Sequence, residues 1–250
     1  MYESLPESLP NSVFAPLDPA ITEEISAVHA FYTALAPRLH PTHALGGQLL
    51  YAGQLSSETA HLIRAANIAG AASLSVSDSA PELRKATRDG VADFAVTSLD
   101  EALRILKNEI RKHLPVAVAI HGSPLDIANQ MMLRGVQPDL LTPGAIQPLC
   151  ARAGFLERGS QLVNPQPDDP QPGPAHLRIW QLPLAWNARS SELDAQLLEL
   201  LPAGDHAARR WLRLSPRYLP RAARRLRSAL CSELVDAQVR ALLAVEPSAD

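Results

Sequence analysis

Gly53, Ser77, Asp78 and His121 stand at or just beyond the ends of three short apolar runs, LLYAG (49–53), ASLSVS (72–77) and VAVAIH (116–121). Residues of these types at strand ends suit a dinucleotide. A glycine lets the backbone approach a pyrophosphate, the free N–H groups of the following helix receive its charge, and an acid after the next strand holds a ribose hydroxyl. The first turn departs from that pattern. It reads Gly53-Gln54-Leu55-Ser56-Ser57-Glu58, with one glycine where two or three are ordinary. Ser56 or Ser57 can cap the helix with its own hydroxyl, and Glu58 places a carboxylate in the first turn, where the helix dipole favours it and a pyrophosphate would be repelled. The residues therefore predict a self-capped helix that disfavours a dinucleotide phosphate in the ordinary mode. At the second strand, Ser77 occupies the end and Asp78 follows, so Asp78 reads either as a ribose ligand or as a helix cap. His121 also has two readings: a ligand-facing residue at the carboxyl edge of a sheet, or a histidine satisfied by its neighbours.

Other chemistries find no support in the residues. A GxSxG nucleophile motif is absent. Cys150 and Cys231 are the two cysteines, far apart and without metal-ligand spacing, which predicts neither a disulfide framework nor a zinc site and fits a reducing cytoplasm. His29, His40, His43, His61, His113, His176 and His206 are scattered and read as surface or helix-packing residues, so no metal is expected and no catalytic residue is assigned. The net charge of -3 argues against a chain built as a whole to coat nucleic acid or an anionic membrane. No secretory leader is read in MYESLPESLPNS, and no apolar stretch reaches the roughly 20 residues of a membrane span.

The elements that must hold these residues follow from periodicity. Residues 1–17 read as a flexible tail. Asp18 then Pro19 begin a helix within 18–45, with Ile21, Ile25, Val28, Phe31, Tyr32 and Leu35 along a core-facing stripe. From Gly46, near-continuous apolar strands at 48–52, 72–76, 93–97, 116–120 and 139–141 alternate with helices at 58–68, 81–89, 98–113 and 124–133. Ser98 and Glu101 form a capping-box signature, and Asn67 and Gly70 suit a tight return from helix to strand. Strands of this kind, each followed by a helix, predict a doubly wound parallel α/β sheet, Rossmann-like, over 46–147. Residues 148–175, with NPQPDDPQPGP, read as a proline-rich linker.

Residues 176–250 read as a helical C-terminal region, with a short helix in SSELDAQLLELLPAG and a long helical stretch from His206 to Ala244. Arginine outnumbers lysine 20 to 3, which reads as compositional bias, and eight arginines lie between Arg209 and Arg227. This cluster reads either as a solvated face whose alkyl stems cover apolar surface or as a site for an anion or nucleic acid. Trp211 and Tyr218 are too few to favour a stacking platform, and Trp211 also reads as a core anchor.

Five segments in order, GGQLLYAG, NIAGAASLSV, TSLDEALRILK, VAVAIHGS and LRGVQPDLLT, resemble the central NAD-binding domain of urocanate hydratase, or urocanase, over residues 46–142. ELDAQLLELLPAGDHAARRWLRL is more faintly similar to the helical stretch after that family's core. The resemblance implies hydration of urocanate in histidine breakdown, with NAD as an electrophile toward the imidazole ring. It also implies that His121, Gly122 and Ser123, with Gly53, Ser77 and Asp78, border the cofactor. Three departures stand against full activity: the altered turn, Pro143 to Pro148 without a titratable group, and only about thirty residues, mostly proline-rich linker, where the family's substrate-binding and cysteine-containing catalytic motifs would fall, with Cys150 resembling none of them closely. The expectation is a shortened, catalytically degenerate relative that binds a small molecule or a protein partner. The alternatives are an active hydratase that completes its site in a homo-oligomer, and anion or nucleic-acid binding through the arginine cluster.

Overall fold

The computed structural model describes residues 17–142, 161–163 and 175–245. The tail up to residue 16, the Pro143–Pro148 segment, Cys150 and the proline-rich run 164–174 lie outside these residues. Helix α1 (Pro19–Leu35) starts as its sequence demands, with Asp18 Oδ1 accepting the Ala20 N–H at 2.9 Å. Five strands alternating with four helices follow: β1 (Leu49–Gln54), α2 (Ser57–Ala69), β2 (Ala72–Ser77), α3 (Ala80–Arg88), β3 (Phe94–Val96), α4 (Leu99–Arg111), β4 (Ala117–His121), α5 (Pro124–Leu133) and β5 (Leu140–Leu141). With β6 (Gln161–Leu162) they make one six-stranded sheet in the order β3-β4-β2-β1-β5-β6, parallel throughout. Residues 161–163 thus extend the sheet from within the stretch read as linker.

Each strand is apolar along its length because both its faces are covered. Leu49, Tyr51, Leu74, Val76, Val118 and Ile120 point to one side, under α4 and α5 with Leu103, Leu106 and Met131. Leu50 faces the other side, against Leu62 and Ile68 of α2, and Ala52, Ala117 and Ala119 meet Leu83 and Ala86 of α3 there. Ser98 Oγ accepts the Glu101 N–H at 3.3 Å, the half of the expected capping box that positions α4. Gly70 takes φ +98 and closes α2 before β2, as its place in NIAGAAS requires.

The C-terminal region is helical, with α6 (Ser190–Leu200), α7 (His206–Tyr218) and α8 (Glu233–Ala244), but His206–Ala244 is not continuous helix. Pro220 follows the end of α7, and Leu226–Ser232 forms a strand, β8, paired antiparallel with β7 (Ala175–Gln181). Trp180, Trp186, Leu193, Leu197, Leu212, Val239 and Leu243 make a core of their own beneath this pair. Trp211 is fully buried and is a core anchor: its indole donates to Ser228 Oγ at 3.0 Å and packs with His29 and Tyr32 of α1. Helix α7 therefore sits in the same apolar cluster as α1 and α2, and residues 175–245 pack on the α/β domain.

Of the eight clustered arginines, Arg213, Arg217, Arg221, Arg224 and Arg225 are exposed, as a solvated face predicts, whereas Arg209, Arg210 and Arg227 are drawn into the packing. Arg210 of α7 donates to Ile68 O, in the last turn of α2, at 2.6 Å. Arg64 of α2, only 4 % exposed, donates in return to Tyr218 O, the last residue of α7, and to Asp89 O after α3 at 2.9 Å. Arg209 reaches Leu198 O and Leu201 O at the end of α6, and Arg38 reaches Ala34 O at the end of α1. Helix C-termini carry unpaired carbonyls and partial negative charge, so a guanidinium satisfies both at once. Arg227 forms a two-bond pair with Asp194 at 2.5 and 3.0 Å.

Two predictions follow from this packing. Arg210→Ala leaves Ile68 O without its charged donor and should lower unfolding stability by about 2 kcal/mol, read from the urea midpoint. His29 is buried, and desolvation lowers its pKa from 6.5 to about 4. The unfolded chain thus takes up this proton near pH 6.5 while the folded chain resists until near pH 4, so the contribution is complete above 6.5 and is lost as pH falls through that window. His29→Phe should remove about 2 kcal/mol of the stability lost between pH 6.5 and 5, measured as urea midpoints across that range.

Candidate functional site

The expected site residues all fall at the carboxyl edge of the sheet, on the adjacent strands β4, β2 and β1. At β1 the register advances two residues, Tyr51 to Gly53, against one on β2, Leu74 to Ser75, so Ala52 is the extra residue of a bulge. Gly53 takes φ +72 there, the left-handed conformation that a side chain resists, and it is buried. Its requirement is thus met by the bulge itself. Beyond it, Leu55 N–H donates to Val76 O at 2.7 Å, which ties the turn to β2.

Helix α2 is self-capped, as the turn predicts, and Ser56 is the cap. Ser56 Oγ accepts the Thr59 N–H at 3.2 Å, and Thr59 Oγ1 accepts the Ser56 N–H at 2.7 Å, a capping box with threonine in the third position. Thr59 Oγ1 also donates to Gln54 O at 2.9 Å. Glu58 lies exposed in the first turn. Thr59 was not singled out in the sequence, although its place three residues after Ser56 is the signal.

At β2, the fully buried Ser77 hydroxyl donates to Glu82 Oε2 at 2.7 Å and accepts the Ser79 N–H at 3.1 Å. Ser79, not Asp78, caps α3, accepting the Glu82 N–H at 3.3 Å. Asp78 is exposed at this edge, as is Glu58. At β4, the exposed His121 ring donates from Nε2 to Asp78 O at 3.2 Å, which fixes this proton on Nε2 in the neutral ring. Gly122 N–H donates to Ser77 O at 3.0 Å, and Ser123 caps α5, accepting the Asp126 N–H at 3.4 Å. The structure therefore brings Ser77, Asp78, His121 and Gly122 into one bonded group, with Gly53 a strand away and Ser123 engaged by its own helix.

The connection from β1 leads to β2 on one side, while β5 is followed by β6 on the other, so the topological switch point lies between β1 and β5. Thr142, just after β5, is buried there and donates from Oγ1 to Ala52 O at 3.3 Å. Tested against a dinucleotide, this edge gives a divided result. Asp78 suits a ribose hydroxyl. The pyrophosphate position does not fit, because the Ser56 and Thr59 N–H groups are committed to the capping box and Glu58 stands beside them. The Ser77 hydroxyl is likewise committed to Glu82. Cavities among the described residues elsewhere include an open depression of about 1150 Å³ beside β3, lined by Phe94, Arg104 and Tyr218, and a smaller one of about 310 Å³ against α7. Among the described residues no group of three His, Cys, Asp or Glu could hold a metal ion, and no helix is long and apolar enough to cross a membrane.

The segments that carried the resemblance have structural work in this fold. Asp139 Oδ2 accepts the Leu49 N–H at 2.7 Å and so fixes the start of β1, and Arg134 pairs with Asp100 between α5 and α4. These are properties of a shared scaffold, and a comparison with known families agrees. The model of the urocanase Rossmann-like domain matches residues 30–146, which takes in the end of α1, strands β1 to β5 and the helices between them. Residues 30–146 are therefore related to the Rossmann-like domain of the urocanase family.

Proposed function

We propose that this urocanase-related protein does not carry the hydratase reaction and that its α/β domain serves to bind a small ligand or a protein partner. The observation behind this reading is the closed amino end of α2. A cofactor that acts as an electrophile must be seated by its phosphates before its ring can be aligned with a substrate, so cofactor binding and catalysis stand together. Here the capping box engages the Ser56 and Thr59 N–H groups at the helix end that would receive those phosphates, and the Glu58 carboxylate in the same turn repels them, which supports this reading. The Ser77–Glu82 bond removes a second polar group from the same edge.

The competing reading is an active, NAD-dependent hydratase that completes its site in an oligomer. It draws on the exposed Asp78 and the adjacent His121, which remain able to meet a ribose or an imidazole ring. Native mass spectrometry of the protein purified without added cofactor separates the two. The expected spectrum shows the bare chain mass, unchanged after NAD is added, and the urocanate absorbance band persists on mixing. A mass increment of NAD together with loss of that band establishes the competing reading and overturns the proposal.

A further inference from the structure

The smaller cavity lies at the opposite edge of the domain from the residues discussed above. It is bounded by the His40–Ala44 turn, which precedes β1, and by the first two turns of α7. Its volume of about 310 Å³ is at the small end of ligand sites. Three guanidinium groups, Arg209, Arg210 and Arg213, and two imidazoles, His40 and His206, line it, and no carboxylate is among its described lining residues. We propose that this cavity is a binding site for a compact multivalent oxyanion, a phosphate or a small polycarboxylate.

The donors are held in place by bonds that leave further N–H groups unused. Arg209 spends one terminal nitrogen on Leu198 O and Leu201 O, and Arg210 spends Nε on Ile68 O. Each guanidinium has five N–H groups, so both retain donors after these bonds are made, and both are oriented by rigid helix ends. The Thr42 N–H donates to His40 Nδ1 at 3.3 Å, which leaves the ring proton on Nε2 as a donor. Arg213 is exposed and makes no hydrogen bond or ion pair among the described residues. Asp205, the acid of the same turn, is occupied as the α7 cap by the Ala208 N–H at 2.8 Å.

Electrostatics give the site its sign. Burial lowers the Arg210 pKa, and the neighbouring Arg213 cation lowers it further, so the two guanidinium groups repel one another where water is partly excluded. An anion between them relieves that repulsion and gains charge-assisted, paired N–H bonds. A flat basic surface offers no such relief, because its charges are separated and screened. Arginine also fits the forked geometry of phosphate and carboxylate better than lysine, and all three cations here are arginine.

The test is isothermal titration of the full chain with inorganic phosphate and, separately, citrate, in sodium chloride held at equal ionic strength. Wild-type protein should bind at least one of the two with saturation at one site per chain. Arg213→Ala, which removes a side chain without fold-holding bonds, should weaken that binding about tenfold. Arg221→Ala, an exposed arginine outside the cavity, should leave it unchanged. Binding of phosphate alone identifies a phosphate-bearing ligand, and binding of citrate alone a carboxylate. No saturable heat with either anion, or a signal that is insensitive to Arg213→Ala, overturns the proposal, as does equal weakening by Arg221→Ala. Circular dichroism of both variants checks that each is folded before titration.

Discussion

The reciprocal capping of α2 and α7 is the constraint on which the arrangement of the whole chain depends. Arg64 of α2 meets the carboxyl end of α7, and Arg210 of α7 meets the carboxyl end of α2. The two helices run antiparallel, so each brings a cation to the negative pole of the other's dipole. Their apolar faces close at the same contact, through Leu62, Ile68 and Trp211. Burial of Arg64 carries a desolvation cost, which its two carbonyl bonds, with Glu24 Oε1 at 3.9 Å from Nε, offset. The bonds are directional, so they set the rotation of α7 on the domain as well as its attachment.

This constraint explains what could and could not be read from the residues. Strands such as VAVAIH and helix caps such as Asp18, Ser56 and Ser98 are local: the residue and the group it satisfies lie within a few positions. They were legible for that reason. The arginine partners were not, because Arg64 and Arg210 act on carbonyls 154 and 142 residues away, and a carbonyl has no sequence signature. An arginine-rich run therefore looks alike whether it is solvated or buried at helix ends. Strand β8 was missed for a related reason. RLRSALCS is short and flanked by charge, and it becomes a strand only by pairing with β7 some fifty positions earlier.

At the site, the same division holds between local and distant groups. The closure of α2 could be inferred from one turn, and its cap came out as Ser56. The bond between Ser77 and Glu82 lies within five positions, yet nothing in the spacing distinguishes it from an exposed pair of residues. His40 and His206 were read as scattered surface residues, and only the packing of α7 brings them to one cavity. Proximity in the fold, not residue type, was the missing information.

The two edges of the domain then stand in contrast. At the carboxyl edge of the sheet, where this fold ordinarily receives a ligand, a capping box, a serine–glutamate bond and a histidine–carbonyl bond engage Ser56, Thr59, Ser77 and one His121 nitrogen from within the chain. At the opposite edge, the arginines that fasten α7 to the domain keep N–H groups in excess of the carbonyls available to them. A helix end can accept only a limited number of bonds, and a guanidinium has five to give. The fastening that gives the chain its shape therefore necessarily leaves concentrated positive charge beside it, held in a fixed geometry and without a carboxylate among the described residues lining the cavity.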